Sequence, residues 1–151
     1  MKEISLSVPR SRLYGEVART AAYLGVKQAP ADQPGEHFDR LAVIDGDKAL
    51  LDRLSNEAAL ALVEHIKSCV AAIDLGEEVI TVSLSLSDAY DSCLTVSVTG
   101  NFEAYMAAFV TARWLRLTLP AKEEVWMAES RRLLTEIASA LYHRNPPRRH
   151  T

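Results

Sequence analysis

Eight consecutive residues, Ile80-Thr81-Val82-Ser83-Leu84-Ser85-Leu86-Ser87, alternate apolar and polar side chains without a break. Side chains of an extended strand point alternately to opposite faces, whereas a helix would scatter these apolar groups round its circumference. The segment is expected as a strand with one buried and one wet face. Two other segments share the period. Ile4, Leu6 and Val8 alternate with Glu3, Ser5 and Ser7, and Leu94, Val96 and Val98 alternate with Thr95, Ser97 and Thr99. The polar stretch Asp88-Ala89-Tyr90-Asp91-Ser92 between the second and third predicts a β-hairpin. A lone hairpin is marginal in water, so the strand at 3–8 is expected to complete a small antiparallel sheet.

Elsewhere the apolar residues recur at threes and fours. Residues 9–24 carry Val17, Ala21 and Leu24 on one helical face, with Gly25 as the expected C-terminal cap. From Lys48 to Ile73 the stripe is Leu51, Leu54, Ala58, Leu62, Ile66, Cys69 and Ile73, and Asp45 or Asp47 can cap its start. A helix apolar nearly all round is expected from Phe102 to Thr118, capped by Asn101. Pro120 ends it, and a last helix spans 121–143 with Trp126, Leu133, Leu134, Ile137 and Leu141 inward. Residues 27–38 hold two prolines and a glycine and read as the one long, mobile loop. The pattern predicts an α+β fold: four to five helices packed on a small antiparallel sheet, in a single domain over 1–151. The chain ends in an extended basic tail over 144–151, where Pro146 and Pro147 stop the helix.

Composition narrows the function classes. With 151 residues, 48% hydrophobic and 25% charged, the chain is an ordinary globular domain needing no metal or disulfide to build a core. The net charge is −3. The N-terminal half is acidic, and the positive excess falls in Arg144, Arg148 and Arg149. That distribution lacks the broad basic face a nucleic-acid binder needs, so no nucleic acid is expected. The N-terminus has no continuous apolar stretch of signal-peptide type and no segment is long enough to span a membrane, so no membrane partner and a cytoplasmic location are expected. Cys69 and Cys93 lie in apolar runs without metal spacing and read as buried thiols of a reducing compartment.

Reactive clusters do not emerge from the spacing. There is no glycine-rich phosphate loop and no Gly-x-Ser-x-Gly elbow. Asp45-Gly46-Asp47-Lys48 opens like a calcium loop but continues with Ala49 and Leu50 where a ligand and a glycine are needed. His65 lacks a second histidine at helical spacing. His37, near Glu36 and Asp39, could serve metal or acid–base chemistry only if the fold supplied a partner. No cofactor and no metal are expected, and the chain is not expected to be an enzyme.

What stands out is aromatic. Phe102, Tyr105, Phe109, Trp114, Trp126 and Tyr142 crowd the last third with Met106 and Met127. They can fill the core, or some can anchor an interface, where Trp, Tyr and Met are enriched. Trp126 and Met127 are adjacent, so one of them must leave the main stripe of its helix. Both are candidate interface residues, with Arg144, Arg148 and Arg149 of the tail.

The segment Arg12-Leu13-Tyr14-Gly15-Glu16-Val17-Ala18-Arg19-Thr20, the run 100–117 containing Trp114, and the tail from Leu141-Tyr142 to Arg149 resemble small structural proteins of phage and prophage morphogenesis, of the head–tail connector or adaptor type. The resemblance implies a structural subunit of the virion that joins head to tail. It implies other protein subunits as partners, either copies of itself in a ring or portal and tail proteins. A ring needs two different complementary patches on each subunit. The acidic half and the arginine-rich tail are candidates for those patches. The alternative from the residues themselves is a small-ligand or regulatory binding module with its site beneath the 27–38 loop.

Overall fold

The computed structural model describes residues 1–28 and 47–143. In chain order these are β1 (Lys2–Pro9), α1 (Arg10–Gln28), α2 (Lys48–His65), β2 (Val70–Leu75), β3 (Val79–Leu86), α3 (Thr95–Thr118) and α4 (Glu123–Tyr142), with short 3-10 turns before β2, α3 and α4. The fold is α+β, four helices and a small antiparallel sheet among the described residues. The tail 144–151 lies outside them, as does the expected loop except Lys27 and Gln28, which end α1.

The sheet order is β1-β3-β2. The strictly alternating segment is the central strand. Ile80, Val82, Leu84 and Leu86 are buried, while Thr81, Ser83 and Ser85 face outward and are half-buried. β1 pairs with it antiparallel, Leu6 opposite Val82 and Ser5 opposite Ser83, so both strands turn their apolar sets to the same side. Beneath that side lie α2 and α3, whose Leu54, Ala58, Leu62, Phe102, Tyr105 and Met106 complete the core. Full burial of each such Leu or Phe contributes about 1.5–3 kcal/mol.

The hairpin differs from the expected one. β3 pairs with β2, upstream of it, and not with residues 94–99. Those residues form the last 3-10 residue and first turn of α3: Leu94, Val98, Phe102, Tyr105 and Phe109 recur at helical spacing, while Val96 is left 84% exposed. A helix nucleated downstream extends at little cost. Asn101 is therefore inside α3 and caps nothing, and an Asp91 oxygen instead accepts from Cys93 N at 3.0 Å in the turn that precedes it.

The expected helix over 48–73 is cut at His65 for the complementary reason. The central strand needs a second hydrogen-bonded neighbour, and Val70–Leu75 supplies it across the tight turn at Gly76-Glu77-Glu78. A Cβ on Gly76 would sit 2.8 Å from the Val79 carbonyl oxygen, so glycine is required there by close approach. At the other helix ends, Gly25 lies inside α1 and closes nothing, and Asp47 stands at the N-cap of α2 without a capping side-chain bond. Cys69 is buried but Cys93 is exposed, which corrects the reading of both as buried.

Candidate functional site

Arg10 is the most unusual side chain of the fold. It occupies the first position of α1, where the helix dipole disfavours a cation, yet it is only 5% exposed. Its partners come from three elements. Nε donates to Gly76 O at 2.8 Å in the β2–β3 turn, and Nη2 donates to Asn56 Oδ1 of α2 at 2.7 Å. Nη1 donates to Tyr14 Oη at 3.3 Å and to Asp52 O at 3.4 Å, and lies 3.9 Å from the Asp52 carboxylate. The backbone N–H donates to Glu78 O at 2.8 Å. Tyr14 in turn donates its hydroxyl to Asp52 Oδ1. Burial, and then the bond to Asp52, raise the Tyr14 pKa above its ordinary value. The guanidinium's planar fork suits such a network, which ties α1 to α2 and to the hairpin turn.

Beside this network lies a hollow of about 740 Å³, bounded by Arg10, Tyr14 and Ala18 of α1, Lys48 and Leu51 of α2, and Glu77 to Val79 of the turn. Because Arg10 and the Tyr14 hydroxyl already bond to protein groups, the polar side chains left to meet a ligand are Ser11, Lys48 and the two glutamates. Among the described residues no group of three His, Cys, Asp or Glu side chains could hold a metal. His37 lies outside them, and His65 is exposed at the end of α2.

A second concavity, of about 460 Å³, runs between α1, α3 and α4. Its floor is made by small residues of α3, Gly100, Ala104, Ala107, Ala108 and Thr111. One wall is Arg12, Glu16 and Arg19 of α1, and the other is Trp126, Glu129 and Leu133 of α4. Small side chains keep the floor low, because α1 and α4 each pack on α3 by their larger residues on either side. The charges around it are paired: Arg12 of α1 with Glu103 of α3, Arg19 with Glu16, and Arg132 with Glu129, whose carboxyl that bond holds below its usual range.

Of the candidate interface residues, Trp126 is half-buried in this groove wall. Met127 is also half-buried against the core, with Ser130 Oγ 3.4 Å from its sulfur. Neither side chain stands clear of the body; Val125, before them, is 64% exposed. Arg144, Arg148 and Arg149 lie outside the described residues. Sequence reasoning missed Arg10, although an arginine opening a helix against its dipole was a visible signal. It also missed the groove, which needs three helices to be assembled before it exists.

No described helix is long and apolar enough to cross a membrane. Comparison with protein families, curated proteins and solved structures gives no match to this chain.

Proposed function

We propose that this chain is a non-enzymatic assembly subunit that works by protein–protein contact, of the kind that joins head to tail in phage and prophage particles. The observation that carries the reading is the groove between α1, α3 and α4. It is floored by small residues, walled on one side by Trp126 and rimmed by charge. Such a shape accepts a segment of another subunit, with an aromatic anchor and a polar rim. A subunit that presents this groove to one neighbour and a different surface to the next can close a ring by head-to-tail contact. The arginines of the tail, Arg144, Arg148 and Arg149, would dock on the neighbouring subunit or the portal, with location in the virion following from that role.

The test is genetic and microscopic. Deletion of the gene from the phage or prophage that carries it should leave full heads and free tails unjoined in electron micrographs. A chain carrying Ala107→Glu, which fills the groove floor with a charge, should fail to restore joined particles while folding normally. Joined, infectious particles from the deletion strain would overturn the reading.

The hollow beside Arg10 favours a second reading, a small-ligand or regulatory binding module. Its volume lies within the range of small-molecule sites, and Ser11, Lys48, Glu77 and Glu78 give it both donors and acceptors. A ligand bound there should shift the amide NMR signals of residues 10–15 and 76–79 in a fragment screen. Absence of any such perturbation across a chemically diverse set would overturn this reading.

A further inference from the structure

We propose that β1 is an interface: a second copy of this chain pairs with it edge to edge, antiparallel about a twofold axis at Ser5, to make a continuous six-stranded sheet. In the β1–β3 ladder the hydrogen-bonded register continues to Arg10 N, which donates to Glu78 O. Hydrogen-bonded and non-bonded positions alternate along an antiparallel strand. The even residues of β1 therefore bond to β3, and the N–H and C=O groups of Glu3, Ser5 and Ser7 point to the open edge. Among the described residues, none of these groups has a backbone partner outside the strand.

An open edge is ordinarily blunted by a charge, a proline, a bulge or short length. The other edge strand shows such devices: β2 has six residues, a register irregularity between Val70 and Ala72, and Asp74 on its outer face. β1 has eight residues in regular register, and its stretch Ile4 to Val8 carries neither charge nor proline. Ile4 on the inner face is only half-buried, whereas Leu6 and Val8 beyond it are 0% and 2% exposed.

The sequence of β1 fits a copy of itself in one register. With Ser5 opposite Ser5 of the second copy, Glu3 meets Ser7 and Ile4 meets Leu6. Every edge-facing donor and acceptor of Glu3, Ser5 and Ser7 then has a partner. The apolar face continues across the junction and covers Ile4, and no like charges oppose each other. Moving the axis toward Ser7 brings in Pro9, which has no N–H, moving it to Ile4 sets the Lys2 ammonium, already bonded to Tyr90 O, against Leu6 on the apolar face, and moving it to Glu3 sets two carboxylates face to face. Charge and hydrogen-bond complementarity thus select a twofold contact through Ser5. This contact does not rest on the head-to-tail reading, whose ring symmetry is of a different kind.

The experiment is light scattering on size-fractionated protein over a concentration series, with circular dichroism to confirm that each variant folds. The unmodified chain should show a dimer. Ser5→Pro removes an outward N–H without touching the β1–β3 ladder, and Ser5→Lys sets two ammonium groups opposite each other. Both should raise the dimer dissociation constant roughly tenfold or more. Ser7→Lys, which places a cation opposite Glu3 of the other copy, should leave the dimer intact. A monomer at the highest concentration reached, or an oligomer indifferent to both Ser5 variants, would overturn the inference. An oligomer dispersed by Ala107→Glu and not by Ser5→Lys would overturn it while favouring the groove as the assembly surface.

Discussion

The guanidinium of Arg10 donates to Asn56 Oδ1 at 2.7 Å, joining residues 46 positions apart in sequence. This bond, with those to Gly76 O and Asp52 O, makes one side chain the clasp between the first helix, the second helix and the hairpin turn. A buried charge with its partners in place is near neutral for stability, but breaking the set exposes the cost of desolvation.

Substitution Arg10→Met should therefore destabilise the chain by about 3 kcal/mol, since it leaves the Gly76 and Asp52 carbonyls and the Asn56 amide without their donor. Arg10→Lys should recover only part of this, because an ammonium cannot present donors to three elements at once. Urea unfolding followed by circular dichroism measures both.

The two glycines at 76 and 100 should respond in opposite directions. Gly76→Ala forces its Cβ to 2.8 Å from Val79 O, and the hairpin must shift, at a cost of about 1–3 kcal/mol. Gly100 lies inside α3 with nothing within 4 Å of an added Cβ. There Ala gains helix propensity of about 0.5–1 kcal/mol. The urea midpoints should bracket that of the unmodified chain.

Val96 and Val98 distinguish helix from strand directly. In a strand both would lie on the buried face, whereas in α3 Val96 is 84% exposed and Val98 is 0% exposed. Val96→Lys should change stability by less than about 0.5 kcal/mol, the usual range for surface positions. Val98→Ala should cost about 2 kcal/mol through the cavity it leaves. Equal sensitivity at the two positions would contradict the helical start of α3.

Alkaline stability should depend on Tyr105. Its hydroxyl is buried against α2 and donates to Ala58 O at 2.8 Å, and burial raises its pKa well above the ordinary value. The folded state holds that proton more tightly than the unfolded state. The contribution is fully present below the unfolded pKa of about 10 and is lost as pH climbs from there toward the folded value. Thermal unfolding between pH 8 and 11 should show a falling midpoint. Tyr105→Phe should flatten that fall, with a constant loss of about 1 kcal/mol for the missing hydrogen bond.

The candidate sites divide along the same line as the fold. Trp126 stood out in the sequence because an aromatic crowded beside Met127 strains a single helical stripe, and it does line the groove. The floor of that groove was not legible, since Gly100, Ala104 and Ala107 become a depression only when α1 and α4 stand on either side. Arg10 carried a local signal in its conflict with the helix dipole, but its partners at 52, 56 and 76 belong to other elements.

Alternation at 3–8 and 80–87 and the apolar stripes at 9–24, 102–118 and 121–143 fixed which segments are strand or helix, because each has one period only and side-chain burial rewards that period. The segments at 66–75 and 94–99 carry both. Val70, Ile73 and Leu75 can extend a helical stripe or edge a sheet, and Leu94 and Val98 can sit on one strand face or one helix face. There the decision came from the assembled molecule: the central strand needed a second hydrogen-bonded neighbour, Gly76 allowed the nearest one to fold back, and α3 was free to extend toward its N-terminus.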